Sequence, residues 1–318
     1  MTDVTAGLSR PKIPVWRTAY DAYRLGLGAI FSSGKMFRFF VYGSALSIAI
    51  LMVQAYSMLW TFRYLDQLNA DIIGIAINFG VYCALAVVQA PLGIAVQRWV
   101  LADEQPDSSY LAGALDRRGR FYLLASLAIA FPYFLASQTE SIVDLAYFGG
   151  PLIVSESLAS IDSARNYVLL LLLILTAGYV GASLISAKGA FLFPAVAISR
   201  RASVYQFLSE TRGTVSRLCF VFLIALIPVT TVGLFALGVA YQMPGTPLMD
   251  ALSIGDGVTN NNLDDLLLAV LRSPTNVVAL VVGAAAYMTW FLVIAAGAAR
   301  AYQIRVERGL SGVAEVFS

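Results

Sequence analysis

Six apolar blocks, each about 20 residues or longer, occupy most of this chain and constrain its fold more than any other feature. They run approximately 38–62, 72–96, 121–138, 167–188, 217–241 and 277–299. That is the length at which an α-helix crosses the hydrocarbon core, where every backbone N–H and C=O must be satisfied within the segment. The expected architecture is all-α: a polytopic membrane bundle of six transmembrane helices in three hairpins. Composition agrees, since 59% of the 318 residues are hydrophobic and 13% charged, against about half and a quarter in soluble domains. The third block, around Phe121-Tyr122-Leu123-Leu124-Ala125, is the shortest and has Pro132 near its far end. Residues 1–35 carry charges and turn residues instead of a compact apolar run ending at a small-residue cleavage site, so no cleavable signal peptide is expected. The expected organisation is a tail over 1–35 with an interfacial amphipathic helix, a six-span membrane domain over 36–300, and a tail over 301–318.

Charge orients the bundle. Of 21 Lys and Arg, 18 fall in the two tails and the second and fourth loops; Arg63, Arg165 and Arg272 alone fall on the other side. Positive residues resist translocation, so the rich side is expected to be cytoplasmic, with both termini inside. Acids divide nine inside and ten outside, which leaves a basic inner face that attracts anionic lipid headgroups.

A threefold pattern runs along the chain: an amphipathic stretch, a Gly flanked by basic residues, a span, an acidic loop and a returning span. The lead-ins are Ser33-Gly34-Lys35…Arg38, Arg118-Gly119-Arg120 and Arg212-Gly213…Arg217, and the exits end at Arg98, Lys188 and Arg300. Internal repeats build many membrane bundles, although any series of hairpins under the positive-inside rule would show basic residues at similar spacing. In the first amphipathic stretch, Trp16, Ala19, Tyr20, Tyr23, Leu27, Ile30 and Phe31 share one helical face. Arg17, Asp21 and Arg24 lie on another, and Leu25 is the exception. Such a helix is expected in the interface with its rings at headgroup depth. Shorter versions occur over 199–212 and around Tyr110, Leu111, Ala114 and Leu115. On the acidic side, residues 262–271 read as a short capped helix, and loop 139–166, broken by Gly149-Gly150-Pro151, reads as a surface cap or a re-entrant element.

The blocks hold little chemistry. None of the six cores contains Asp, Glu, Lys, Arg or His, whereas ion-coupled transport ordinarily depends on such a group within the membrane. The polar inventory is Gln54, Asn78, Gln89 and scattered Ser and Thr, suited to hydrogen bonding between helices. There is no histidine, and Cys83 and Cys219 lie inside blocks as packing residues. No Ser-His or Cys-His pair, no His-containing metal site and no phosphate-binding loop can therefore be assembled. The string 256–262 has Asn261 where a calcium loop needs Gly. No enzyme activity, no cofactor, no metal and no nucleic-acid partner are expected. Small-residue spacings such as Ala177…Gly181 and Ala279…Gly283 suit close helix approach, and Pro132, Pro194 and Pro228 sit near span ends or in the interface.

The stretch Ala187-Lys188-Gly189-Ala190-Phe191-Leu192-Phe193-Pro194-Ala195-Val196-Ala197-Ile198, with Ser203 and Thr211-Arg212-Gly213, resembles a group of uncharacterised six-span alphaproteobacterial inner-membrane proteins. These are loosely similar to YciC-like proteins and to the membrane domain of some glycerophosphodiester phosphodiesterases. Gln97-Arg98-Trp99-Val100-Leu101-Ala102-Asp103-Glu104 resembles the group's Arg-x-x-Leu-x-x-Glu element. This chain departs in having Lys188 for the usual Arg and Phe193 for the usual Leu, and it lacks the phosphodiesterase catalytic domain. The resemblance implies a bacterial inner-membrane protein. The candidate functional cluster is Arg98, Glu104, Lys188, Pro194 and Arg212, with Trp16, Tyr20, Tyr23 and Leu27 on the interfacial helix. The expected role is an accessory, assembly or scaffold component with a membrane-protein partner or a second copy of itself. The alternative is a transporter or lipid-handling protein without ionisable coupling residues.

Overall fold

A computed structural model of the protein describes residues 12–64, 67–106, 109–110, 117–138, 161–198, 211, 213–242 and 274–317. Every regular element among them is helical: α1 Val15–Ser32, α2 Gly34–Tyr64, α3 Gln67–Ala102, α4 Arg117–Ser137, α5 Ile161–Gly189, α6 Leu192–Ile198, α7 Val215–Gln242 and α8 Pro274–Phe317. Each apolar block falls within one long helix. Five stretches are long and apolar enough to cross a membrane: Gly34–Gln54, Ile72–Ala102, Leu172–Ile198, Val215–Gly233 and Val281–Arg305. In α4 the apolar stretch is the shorter Gly119–Ile129.

Helices overrun the blocks because a helix need not stop where hydrocarbon stops. Residues 161–166, expected in a loop, already belong to α5, and α8 continues unbroken through much of the expected C-terminal tail. The rest of loop 139–166, the string 256–262, the short helix over 262–271 and nearly all of the amphipathic stretch over 199–212 lie outside the described residues.

The long helices close a circuit in which α2 packs on α3, α3 on α4, α4 on α5, α5 on α7, α7 on α8 and α8 back on α2. Helix α3 also meets α8 across the circuit. The core is concentrated at the basic end. One cluster joins Ala19 and Ala22 of α1 to Phe191, to Leu218 and Val221 of α7, and to Val293 and Ala301 of α8. A second joins Ala29 and Ile30 to Met36, Leu92, Val96, Met288 and Leu292. The third sets Leu192, Ala195 and Val196 of α6 against Ala90, Tyr122 and Ala125. The short α6 is thus wedged among α3, α4 and α8, and α1 is laid against α8, α7 and α2.

Small residues make that wedge possible. A Cβ added to Gly26 would lie 2.9 Å from the Cα of Val293, and one added to Gly297 would lie 3.0 Å from the Cβ of Ala22. Residue numbers fall along α1 as they rise along α8, so the two run antiparallel through this seam. The inner arc of α1 is Thr18, Ala19, Ala22, Gly26, Ala29 and Ile30. The expected apolar face therefore divides, Ala19 and Ile30 falling on the inner arc and the large aromatic residues outside it. Trp16, Tyr20 and Phe31 are exposed, while Leu25, the exception to that face, packs against the core. Side-chain size, not polarity, decides which arc faces inward, because only small side chains let two backbones approach this closely.

The other small-residue spacings behave differently. No neighbouring atom lies within 4 Å of a Cβ built on Gly181 or Gly283, whereas one built on Gly178 meets Ala136 at 3.2 Å. The three lead-in glycines also differ in role. Gly34 opens α2, Gly119 is buried inside α4, and Gly213 holds φ at 77°, which side chains rarely adopt.

Tyr110, between α3 and α4, fastens its segment to the bundle. Its hydroxyl donates to the carbonyl of Val88, and its ring stands edge-on to Phe39 at 5.0 Å. Replacing Gly26 with Ala forces a backbone-to-side-chain clash and is expected to cost about 1–3 kcal/mol. Gly283→Ala, which meets nothing, should leave stability unchanged or raise it by up to about 1 kcal/mol through helix propensity. Thermal melting of both variants in the same mild detergent checks the contrast.

Candidate functional site

The basic end gathers most of the candidate residues, so its polar contacts decide what it can do. Arg98 and Glu104 are brought together, with the Arg98 guanidinium donating to Glu104 Oε2. The pair closes the C-terminus of α3. The Asp103 N–H donates to Trp99 O at 3.1 Å, the Glu104 N–H reaches Arg98 O at 3.4 Å, and Asp103 sits at φ 53° in the left-handed region. Two otherwise orphaned helix carbonyls are satisfied this way. Directly beyond, Ser33 Oγ donates to Gln105 Oε1 at 2.6 Å and accepts from the Met36 N–H at 3.2 Å. Ser33 is therefore the N-cap of α2 and ties it to the end of α3.

The remaining members stand apart in kind. Lys188 is exposed in the last turn of α5, and Pro194 is buried within α6. Arg212 lies outside the described residues, although its neighbours show the local turn: Thr214 Oγ1 donates to Thr211 O at 2.8 Å ahead of α7. On the first helix Trp16 and Tyr20 face outward, while Tyr23 and Leu27 are half-buried against the core.

Several residues outside the candidate cluster do more to build this end. Arg300 Nε donates to Asp21 Oδ2 at 3.0 Å and Arg300 Nη1 to Gln303 Oε1 at 2.6 Å, which fixes α1 to α8 beside the glycine seam. Arg217 Nη1 donates to the carbonyl of Ile13 at 3.1 Å and ties α7 to the approach of α1. Arg305, assigned to a tail by its position, is buried, as is Gln97. Burial also pushes the Tyr110 hydroxyl above its ordinary range, so it stays a neutral donor at physiological pH. Nothing in a single sequence marks Asp21 and Arg300 as partners, because 279 positions separate them.

Toward the opposite end an amide chain links three helices. Gln54 Nε2 donates to Asn78 Oδ1 at 2.7 Å, and Asn78 Nδ2 donates to Gln138 Oε1 at 3.1 Å. Gln89 Nε2 separately donates to Tyr287 Oη at 2.5 Å, joining α3 to α8. Gln54, Asn78 and Gln89 each bond a side chain of a different element, which is how polar side chains hold helices together in lipid.

Comparison with known proteins finds no match: no family model, no curated protein and no solved structure resembles the chain.

Two substitutions separate the contributions of these contacts. Asn78→Leu removes both bonds at the middle of the amide chain and is expected to cost about 1 kcal/mol, read as a lower melting temperature in detergent. Asp21→Ala should cost about 1.5 kcal/mol. Exchanging the charges, Asp21→Arg with Arg300→Asp, should recover more than half of that loss, and no recovery would show that the pair contributes nothing.

Proposed function

We propose that this chain is a non-enzymatic integral protein of the bacterial inner membrane that serves as an accessory, assembly or scaffold component of a membrane complex. The observation that carries this reading is the construction of the basic end. There α1 and α6 are wedged among the long helices, the Asp21–Arg300 pair fixes α1 to α8, and the Arg98–Glu104 pair closes the end of α3. Cations spent in this way make a rigid platform at the bundle's end, and a platform suits a protein that holds others in place.

In this proposal the chain spans the membrane six times in three hairpins, with both termini in the cytoplasm. The α4 helix supports the sixth crossing. From Phe121 to Ser137 it extends roughly 25 Å at 1.5 Å per residue, close to a hydrocarbon core of about 30 Å, and its first turn carries Arg117, Arg118 and Arg120, which mark the headgroup end. Sequence neighbours α2 and α3, α4 and α5, and α7 and α8 pack on one another, as hairpins would. The resemblance of the 187–198 stretch to six-span inner-membrane proteins agrees with this topology.

Topology is tested in a background lacking Cys83 and Cys219. In intact cells with permeabilised outer membranes, a membrane-impermeant maleimide should label Asn261→Cys and leave Ser9→Cys and Ser311→Cys unlabelled. Five crossings would instead place the two termini on opposite sides. The scaffold role predicts a stoichiometric protein partner after gentle affinity purification from native membranes and mass spectrometry. Repeated recovery of the protein with a defined lipid or small molecule and no protein would favour transport or lipid handling.

A further inference from the structure

The outward arc of α1 is a surface that the core does not use. Trp16, Tyr20 and Phe31 are 75%, 66% and 78% exposed there. Arg17 and Arg24 are exposed on the same side of the helix, opposite the inner Ala/Gly arc. The start of α2 continues the surface with exposed Lys35, Phe37 and Arg38, and Lys12 precedes it.

Along residues 12–38 the exposed charge has one sign; near the start of α2, at the end of α3, lie the exposed Asp103 and Glu104, the latter paired with Arg98. Residues 12–38 contain five cations and a single acid, Asp21. That acid is drawn toward α8, where Arg300 neutralises it at 3.0 Å. All five cations remain exposed. The outward arc therefore interleaves aromatic rings with cations and presents no carboxylate.

We propose that this arc, with the first turn of α2, is a binding surface for the anionic phosphate headgroups of the surrounding bilayer. The proposal rests on the membrane topology given above and names a lipid partner for its basic end. Position favours a lipid surface. Gly34, which opens the first apolar span, follows α1 by two residues, so the arc lies where headgroups begin. Indole and phenol rings settle at that depth because one part is apolar and the other wet. Arginines spaced along the arc meet a distributed field of phosphates, each cation near the surface strengthening attachment roughly fivefold. Removing Asp21 from the arc avoids local repulsion between a carboxylate and those phosphates.

The test uses the full-length protein in mild detergent, titrated with dioleoylphosphatidylglycerol or dioleoylphosphatidylcholine and read by native mass spectrometry. The wild type should bind the anionic lipid more tightly, and rising ionic strength should weaken that preference. Arg17→Gln with Arg24→Gln should weaken phosphatidylglycerol binding about 25-fold and leave phosphatidylcholine binding and the melting temperature unchanged. Arg17→Lys with Arg24→Lys should retain the preference. Trp16→Ala with Phe31→Ala should weaken both lipids. Equal binding of the two lipids by the wild type would overturn the proposal, as would a preference that survives the double Gln variant. So would an equal loss in Arg120→Gln, an exposed cation of α4, because the attraction would then be diffuse. Displacement by inorganic phosphate would make this a small-anion site instead. A flat lipid titration, with a co-purifying protein lost from the Gln variant, would give the surface to a protein partner. Failure of the scaffold reading shows separately, as the absence of any partner with the wild type.

Discussion

The close approach of α1 to α8 governs the basic end of this molecule. Gly26 against Val293 and Gly297 against Ala22 leave no room for larger side chains. Where helices meet in or beside lipid, association rests largely on van der Waals packing and hydrogen bonds, because apolar side chains have lipid as an alternative to burial. Contact distance therefore controls the energy, since dispersion falls steeply once a gap opens. The seam brings α1 close enough for Asp21 to meet Arg300, and its alanines join Phe191, Leu218 and Val221 in one cluster. Seating α1 this way also determines which of its side chains face outward.

The same economy explains the unequal ends of the bundle. At the basic end α1 and α6 fill the space between the longer helices, and the Asp21–Arg300, Arg217–Ile13 and Ser33–Gln105 contacts join different elements. Toward the other end the described helices expose many large apolar side chains, including Val53, Tyr56, Ile72, Leu173 and Val232, as helices facing lipid do. Among the described residues there, the amide chain Gln54–Asn78–Gln138 ties α2, α3 and the end of α4 without using a charge.

Much of this architecture was legible in the sequence, and what was not has a common cause. Block length located every long helix, because the thickness of hydrocarbon imposes a length that no packing detail overrides. The Arg98…Glu104 element was visible as a motif, and in the fold it closes α3 around the left-handed Asp103. Pairings across the fold were invisible. Gln54 and Asn78 were recognisable as polar groups in apolar blocks, but their hydrogen bond, like that of Asp21 and Arg300, depends on which helices become neighbours. Small-residue spacing was ambiguous for the same reason. Gly181 and Gly283 fit the pattern and meet nothing, while Gly26 and Gly297 form the tightest part of the α1–α8 seam.

The apolar face of α1 divides between two arcs for a reason that lies in side-chain size. In water, the large apolar residues of an amphipathic helix turn inward, whereas here Trp16, Tyr20 and Phe31 are exposed while Ala19 and Ile30 of the same apolar face are buried. At a membrane surface the same residues have a second apolar medium available, so burial in protein no longer has first claim on them. What the protein interior selects is fit. Thr18, Ala19, Ala22, Gly26 and Ala29 are too small to reach far into lipid and the right size to let α8 approach, so they take the inner arc. Asp21 and Arg24 follow from that choice. Rotating α1 to seat its small residues leaves Asp21 at the edge of the seam, within reach of Arg300, and turns Arg24 outward beside the rings. One packing requirement thus sorts the helix into a neutral, close-fitting side and an aromatic, cationic side.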